Sequence, residues 1–236
     1  MASSRYMTTA EAAQTLGTDV KTVRGWVNSG RLPLAGRAGR TFLLDPTSVQ
    51  RIARYSRHRG RSWAPGTAWA AIHLVSGGSA GWLIPQNRSR LTSALRASSM
   101  NAERMLSLAR MRSTVRRYRG HRSVAKMLTG EVVSTGTSAI AENAEVARRF
   151  GLASGHTRVN GYVGIGRADS IAADFALTAD PAGDIVLREA DLNHVTQDGI
   201  TPLAVVALDL MDSLATRERS AGKRMLAELL TKYRDA

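Results

Sequence analysis

Residues 7–33 read MTTAEAAQTLGTDVKTVRGWVNSGRLP, and they carry the clearest structural signals in the first part of the chain. It opens with Thr8 and Glu11 at the spacing of a capping box, in which each side chain accepts a hydrogen bond from the other residue's backbone amide. The pattern predicts a helix over residues 9–16. Gly17 is expected to end it, because glycine readily takes the left-handed conformation that closes many helices.

A second short helix is predicted directly after the first. Asp19 is a favourable N-cap residue, and residues 20–28 follow it with an amphipathic pattern that ends at Ser29-Gly30. The two faces of this helix differ: Val23, Trp26 and Val27 fall on the apolar side, and Lys21, Arg24 and Asn28 fall on the polar side. Two short helices joined by a tight turn form a helix-turn-helix, whose second helix enters the major groove of DNA.

A β-hairpin and a third helix are predicted next. Residues 34–44 combine glycines with a following apolar run, which is typical of a hairpin wing with Arg37 and Arg40 near its tip. Asp45 and Pro46 then supply an N-cap and a first-turn proline for a third helix. Residues 1–60 are therefore expected to form a winged helix-turn-helix domain.

The exposed polar side chains of this domain are the candidate DNA contacts. Those expected to reach base edges or phosphates in the major groove are Lys21, Thr22, Arg24 and Asn28. Those expected at the flanking backbone and minor groove are Arg31, Arg37 and Arg40. The outward face of the third helix adds Arg51, Arg54 and Arg57 as phosphate contacts.

The distribution of charge supports a polyanionic partner. The 236-residue chain has 33 Lys and Arg against 19 Asp and Glu, for a net charge of +14. Residues 1–122 hold 21 basic and four acidic residues, a net charge of +17, whereas residues 123–236 hold 12 basic and 15 acidic residues, a net charge of −3. A coding bias towards arginine explains why lysine is scarce, but it does not explain this asymmetry. Nucleic acid is the commonest partner of a protein surface with such an excess of positive charge.

The rest of the chain predicts a larger α+β domain, mostly helical, over residues 67–236, joined by a basic linker at residues 61–66. A second basic patch is predicted around a strand-like segment and consists of Arg112, Arg116, Arg117 and Arg119. It is interpreted as an exposed β-face beside DNA, as a docking surface for a charged protein, or as a solvated face without a partner.

Residues 7–33 resemble the DNA-binding module of MerR and excisionase-like proteins, although Gly25 replaces the polar residue usual in such helices. The chain as a whole resembles AbiEi antitoxins of type IV toxin–antitoxin operons, through Trp82-Leu-Ile-Pro-Gln-Asn-Arg88, Gly161-Tyr-Val163 and Asp184-Ile-Val-Leu-Arg188. The resemblance implies an N-terminal module that represses its own operon and a C-terminal domain that counteracts a nucleotidyltransferase toxin. A stand-alone MerR or excisionase-like regulator, or a recombination directionality factor, is the alternative.

Catalysis is the less favoured class of function. The sequence has no D-x-D pair and no phosphate-binding G-K-[ST] loop, residues 76–79 are interpreted as a loop, and the absence of cysteine excludes thiol chemistry. Asp209 and Asp212 are interpreted as helix-cap and surface carboxylates. We expect no metal, no cofactor, no signal peptide and no membrane span, and therefore a cytoplasmic protein.

Overall fold

The computed structural model describes residues 6–29, 32–56, 61–121, 123–128, 130–153, 159–197 and 199–236. The chain divides into two compact units. The first consists of Met1–Arg59 with Asp180–Ala182, and the second consists of Gly60–Ala179 with Gly183–Ala236. The architecture is the expected one, an N-terminal winged helix-turn-helix followed by a larger, mostly helical α+β domain.

The first unit contains three helices and a small sheet among its described residues. The helices are α1 (Thr9–Leu16), α2 (Val20–Asn28) and α3 (Pro46–Ser56), and the strands are β1 (Met7–Thr8), β2 (Leu34–Ala38) and β3 (Thr41–Leu44). Strand β3 lies between the other two and is antiparallel to both. The predicted bounds of α1 and α2 and the predicted hairpin are confirmed, whereas β1 was not foreseen.

A small apolar core holds this unit together. Its fully buried members include Ala12 of α1, Val23 of α2 and Val49 of α3, with Leu32 and Leu44 from the wing region. Each helix contributes the apolar side of its amphipathic pattern, so the polar sides of α1 and α2 remain outside.

The second unit is built on a five-stranded sheet with helices on its faces. Its strands are β4 (Thr114–Arg119), β5 (Val133–Ser134), β6 (Val159–Gly164), β7 (Thr178–Ala179) and β8 (Ile185–Ala190). The order across the sheet is β5, β6, β8, β4, β7, in which β6 and β8 run parallel and the other neighbours run antiparallel.

The described helices of this unit are α4 (Pro65–Val75), α5 (Pro85–Arg96), α6 (Ala102–Leu108), α7 (Val124–Leu128), α8 (Gly136–Glu142), α9 (Ala144–Phe150), α10 (Ala168–Asp174), α11 (Leu203–Met211) and α12 (Thr216–Asp235). Short 3₁₀ helices cover Ala109–Arg112 and Leu192–His194. The predicted linker, residues 61–66, is not wholly extended: α4 begins at Pro65, and the Trp63 amide donates a hydrogen bond to the Leu108 carbonyl at 2.9 Å.

Helix α11 is the centre of the second unit. Every residue from Ala204 to Met211 is buried. Helix α12 packs so closely on it that a Cβ placed at Gly222 would lie 2.4 Å from the Ala207 carbonyl oxygen. Glycine at this position therefore allows the two backbones to approach.

Candidate nucleic-acid interface

Two N-terminal caps fix the geometry of the helix-turn-helix. Thr8 Oγ1 accepts a hydrogen bond from the Glu11 amide at 3.3 Å, and a Glu11 carboxylate oxygen accepts from the Thr8 amide at 2.7 Å. These bonds form the predicted capping box, and the bond from the Thr8 amide is the main reason that the pKa of Glu11 lies below its ordinary value. Gly17 ends α1 at φ 62°, in the left-handed region.

Asp19 starts α2 in a similar way. Its carboxylate accepts from the Thr22 amide at 2.7 Å and from the Thr22 hydroxyl at 2.8 Å. The hydrogen bond from the Thr22 amide is the largest cause of a lowered pKa at Asp19. Thr22 is half-buried and its hydroxyl proton is directed to the cap of its own helix, so the predicted DNA contact of Thr22 is left with the hydroxyl oxygen as an acceptor.

The remaining predicted groove-facing residues of α2 share an exposed stripe. Lys21, Arg24 and Asn28 are all exposed, while Val23 on the opposite side is fully buried. Positions i, i+3 and i+7 lie on one side of a helix. The stripe thus places an ammonium, a guanidinium and a carboxamide together, which are groups that bind base edges and phosphates in the major groove.

The wing presents two more exposed cations. Arg37 on β2 lies opposite Phe42 on β3, and its guanidinium carbon is 4.8 Å from the centre of the Phe42 ring. Arg40 follows Gly39, which takes φ 58° in the turn that joins the strands. Stacking on an aromatic ring restricts the guanidinium without neutralising it.

The structure describes only part of the remaining predicted DNA contacts. Arg51 on α3 is half-buried, and its guanidinium donates a hydrogen bond to the Pro181 carbonyl at 2.6 Å, so it is less accessible than predicted. Arg54 lies on the same helix. Arg31 and Arg57 lie outside the described residues.

The three carboxylates of residues 1–59 are all used at helix starts. Glu11 caps α1, Asp19 caps α2, and Asp45 accepts from the Ser48 amide at the start of α3 at 2.7 Å. Met1–Arg59 holds ten basic residues against these three acidic ones, a net charge of +7. Because carboxylates at helix N-termini interact with the helix dipoles, the exposed cations of α2 and the wing dominate the field around them.

The predicted second basic patch does not form one surface. Arg112 is only 2% exposed and points into the second unit. Successive residues of β4 point to opposite faces of the sheet, so Arg116 lies on a different face from Arg117 and Arg119. Arg116 is also 3.7 Å from a carboxylate oxygen of Glu189.

The prediction that Asp209 and Asp212 are surface carboxylates is wrong. Asp209 Oδ1 lies 2.6 Å from a guanidinium nitrogen of Arg112, and Asp212 Oδ2 lies 3.0 Å from one of Arg188. All four side chains are buried, and we call them the buried ion-pair cluster. Buried charges must be paired with each other, because isolated charges are strongly disfavoured away from water.

Tyr162 also forms a hydrogen bond with this cluster. Its hydroxyl donates to Asp209 Oδ1 at 3.3 Å, and Thr135 Oγ1 donates to the other Asp209 oxygen at 2.7 Å. Burial would raise the pKa of Asp209, but the charges of Arg188 and Arg112 more than offset burial, so the pKa lies below its ordinary value. Burial raises the pKa of Tyr162 to about 12.

One sequence signal could have revealed the cluster. Asp209 stands inside the otherwise apolar run of residues 203–211, and a charge within a fully buried helix requires a buried partner. The sequence does not indicate that Arg112 and Arg188 are those partners, because they come from distant segments.

Among the described residues, no group of three or more His, Asp or Glu side chains is arranged to hold a metal ion. In the same part of the chain, no helix combines the length and the apolar character needed to cross a bilayer.

Residues 6–54 match the family model of a helix-turn-helix domain, of the excisionase and MerR-like type. No curated protein and no solved structure matches the chain. The N-terminal unit is therefore a helix-turn-helix DNA-binding domain, the kind of domain found in transcriptional regulators.

Proposed function

We propose that this protein is an AbiEi-like antitoxin that binds the promoter DNA of its own operon, represses it, and counteracts a nucleotidyltransferase toxin. One observation carries the DNA-binding part of the proposal. Lys21, Arg24 and Asn28 form an exposed stripe on α2, and the three carboxylates of residues 1–59 are all used at helix starts.

The proposed binding mode follows from this placement. Helix α2 lies in the major groove, where Arg24 donates to guanine and Asn28 pairs with adenine. Arg37 and Arg40 on the wing contact the flanking phosphates and the adjacent minor groove, whose negative potential attracts arginine. In this proposal the protein acts in the cytoplasm by binding and catalyses no reaction.

The antitoxin part of the proposal is supported by the resemblance of motifs in the second unit to AbiEi antitoxins. The charge distribution is consistent with it, because residues 123–236 carry a net charge of −3 and lack the basic excess of the first unit. Since residues 60–122 of the second unit hold 11 basic residues and one acidic residue, the protein partner is assigned to residues 123–236 alone.

DNA binding is tested by fluorescence anisotropy with the duplex upstream of the protein's own gene. We expect log K to fall linearly with log salt, by about 0.9 for each phosphate contacted. Arg24→Ala should weaken binding at least tenfold, whereas Arg104→Ala, at an exposed helical arginine of the second unit, should leave it unchanged. Equal binding by both variants, or no binding by the wild type, contradicts the proposal.

Antitoxicity is tested by co-expression with the nucleotidyltransferase encoded beside the gene. The full chain carrying Lys21→Ala and Arg24→Ala should still rescue growth while failing to repress a promoter fusion. Failure of the wild type to rescue, or the absence of such a neighbouring gene, overturns the antitoxin part. The alternative of a stand-alone regulator or recombination directionality factor would then stand, provided that DNA binding is found.

A further inference from the structure

A glycine lies on the DNA-facing side of α2. Gly25 is exposed and follows Lys21 by one helical turn, so it belongs to the same side of the helix as Lys21, Arg24 and Asn28. These four positions are the exposed ones among residues 20–28. The exposed stripe therefore contains three side chains able to form hydrogen bonds and one position with no side chain.

Nothing in the described part of the chain requires glycine at this position. Gly25 is absent from the residues with positive φ, so an ordinary amino acid fits its backbone conformation. A Cβ built at Gly25 would meet no atom within 4 Å. Gly222, by contrast, is needed for the close approach of α11 and α12.

Glycine also weakens the helix that contains it. It loses more conformational freedom on folding than any other residue, and only proline is less favourable inside a helix. Helix α2 has just nine residues, and Gly25 is the sixth of them. Gly66 shares this lack of an internal role, so it is the position of Gly25 among the exposed side chains of Lys21, Arg24 and Asn28 that points to an external partner approaching the helix backbone there.

We propose that Gly25 is a specificity-determining residue, whose missing side chain lets the α2 backbone lie directly against base edges in the major groove of duplex DNA. This inference depends on the proposed DNA-binding function. A methyl group at Gly25 would stand between the helix backbone and the bases, and would hold Arg24 and Asn28 farther from their hydrogen-bonding partners. Because hydrogen bonds weaken steeply with distance and misalignment, such a shift reduces sequence discrimination.

The experiment uses the full-length protein and a library of random-sequence DNA duplexes. The wild type first selects a preferred sequence, and Gly25→Ala is then measured on that duplex and on an unrelated duplex of equal length. We expect binding to the selected duplex to fall at least tenfold and binding to the unrelated duplex to stay unchanged. The melting temperature should be equal or higher, because alanine favours the helix.

Gly66→Ala is the matched control. Gly66 is a helical glycine in α4 of the second unit, and a Cβ at this position would also meet nothing within 4 Å. This variant should bind both duplexes as the wild type does. A second selection, made with Gly25→Ala, should yield a different preferred sequence.

The outcomes separate this inference from the proposed function. If Gly25→Ala binds the selected duplex as tightly as the wild type, or loses affinity equally for both duplexes, the inference is overturned while DNA binding stands. If the wild type enriches no sequence, sequence-specific DNA binding fails, and the inference fails with it.

Discussion

The guanidinium group of Arg112 lies 2.6 Å from Asp209 Oδ1, and the two residues are 97 positions apart in the chain. Arg112 ends the 3₁₀ helix that precedes β4, whereas Asp209 lies near the end of α11. The Trp69 indole also donates a hydrogen bond to the Arg112 carbonyl at 3.0 Å. The ion pair and this hydrogen bond therefore hold the start of β4 against α4 and α11, two buried helices of the second unit.

Replacing one partner of this pair should strongly destabilise the second unit. Asp209→Asn keeps the shape of the side chain but leaves Arg112 and Arg188 with one carboxylate fewer in a buried setting. We expect the free energy of unfolding to fall by about 3–5 kcal/mol, the usual cost of breaking a buried pair. Urea denaturation followed by circular dichroism measures this change.

An exposed ion pair provides the matched control. Lys223 Nζ lies 2.8 Å from Glu103 Oε1, and both side chains are more than half exposed. Glu103→Gln should cost no more than about 1 kcal/mol, because water screens such pairs. Similar losses for the two variants would show that the buried ion-pair cluster contributes no more than a surface contact.

Alkaline pH should also weaken the second unit through Tyr162. Its pKa is raised by burial from 10.0 to about 12, so the folded state favours the neutral hydroxyl. This contribution is complete below pH 10 and is lost as the pH rises from 10 through 12. A rise in the Tyr162 pKa from 10.0 to about 12 corresponds to about 3 kcal/mol in the free energy of unfolding.

The measurement is the free energy of unfolding between pH 9 and pH 12. The pKa of Tyr118, raised by burial and by Asp169, is also about 12, so Tyr162→Phe is compared within a Tyr118→Phe background. The added Tyr162→Phe change should make the alkaline loss smaller. An unchanged slope would contradict the assignment of this loss to Tyr162.

Asp19 should be required for a stable α2. Asp19→Ala removes the acceptor of the Thr22 amide and hydroxyl, and loss of an N-cap costs about 0.5–2 kcal/mol. Hydrogen exchange of the α2 amides should become faster by a corresponding factor. Asp19→Asn keeps an oxygen acceptor and should change little, whereas equal effects of alanine and asparagine would exclude capping as the cause.

Gly222 should tolerate no side chain. A Cβ would lie 2.4 Å from the Ala207 carbonyl and 3.1 Å from the Leu210 Cβ, so α11 and α12 must separate in Gly222→Ala. Overpacking of this kind costs about 1–3 kcal/mol. Thermal denaturation should show a lower melting temperature for Gly222→Ala and an equal or higher one for Gly66→Ala. A melting temperature unchanged by Gly222→Ala would contradict the close packing.

Many features of the first unit were predictable because they depend on neighbouring residues. The capping box at Thr8 and Glu11, the left-handed Gly17 and the cap at Asp19 each act within four residues along the chain. Such short-range hydrogen bonds fix the bounds of α1 and α2 before any packing is known. The exposed positions of α2 then follow from its 3.6-residue period.

Charge patterns alone could not say which cations are accessible. Arg112 belongs to the same basic run as Arg116, yet one is buried in ion pairs and the other lies at the surface. Thr22 has the polar character of a DNA contact, but its hydroxyl is already bound to Asp19. Composition gives the number of charges, whereas burial depends on contacts between distant segments.

Local caps and periodicity therefore specify the helix-turn-helix, its wing and the cations of α2, and these features are predictable from the sequence alone. The folded chain alone shows that Asp209 of α11 meets Arg112 before β4 and Arg188 on β8. That outcome depends on strand order and register, which bring segments dozens of residues apart into contact. A buried carboxylate stays charged only where such a fold supplies its partners.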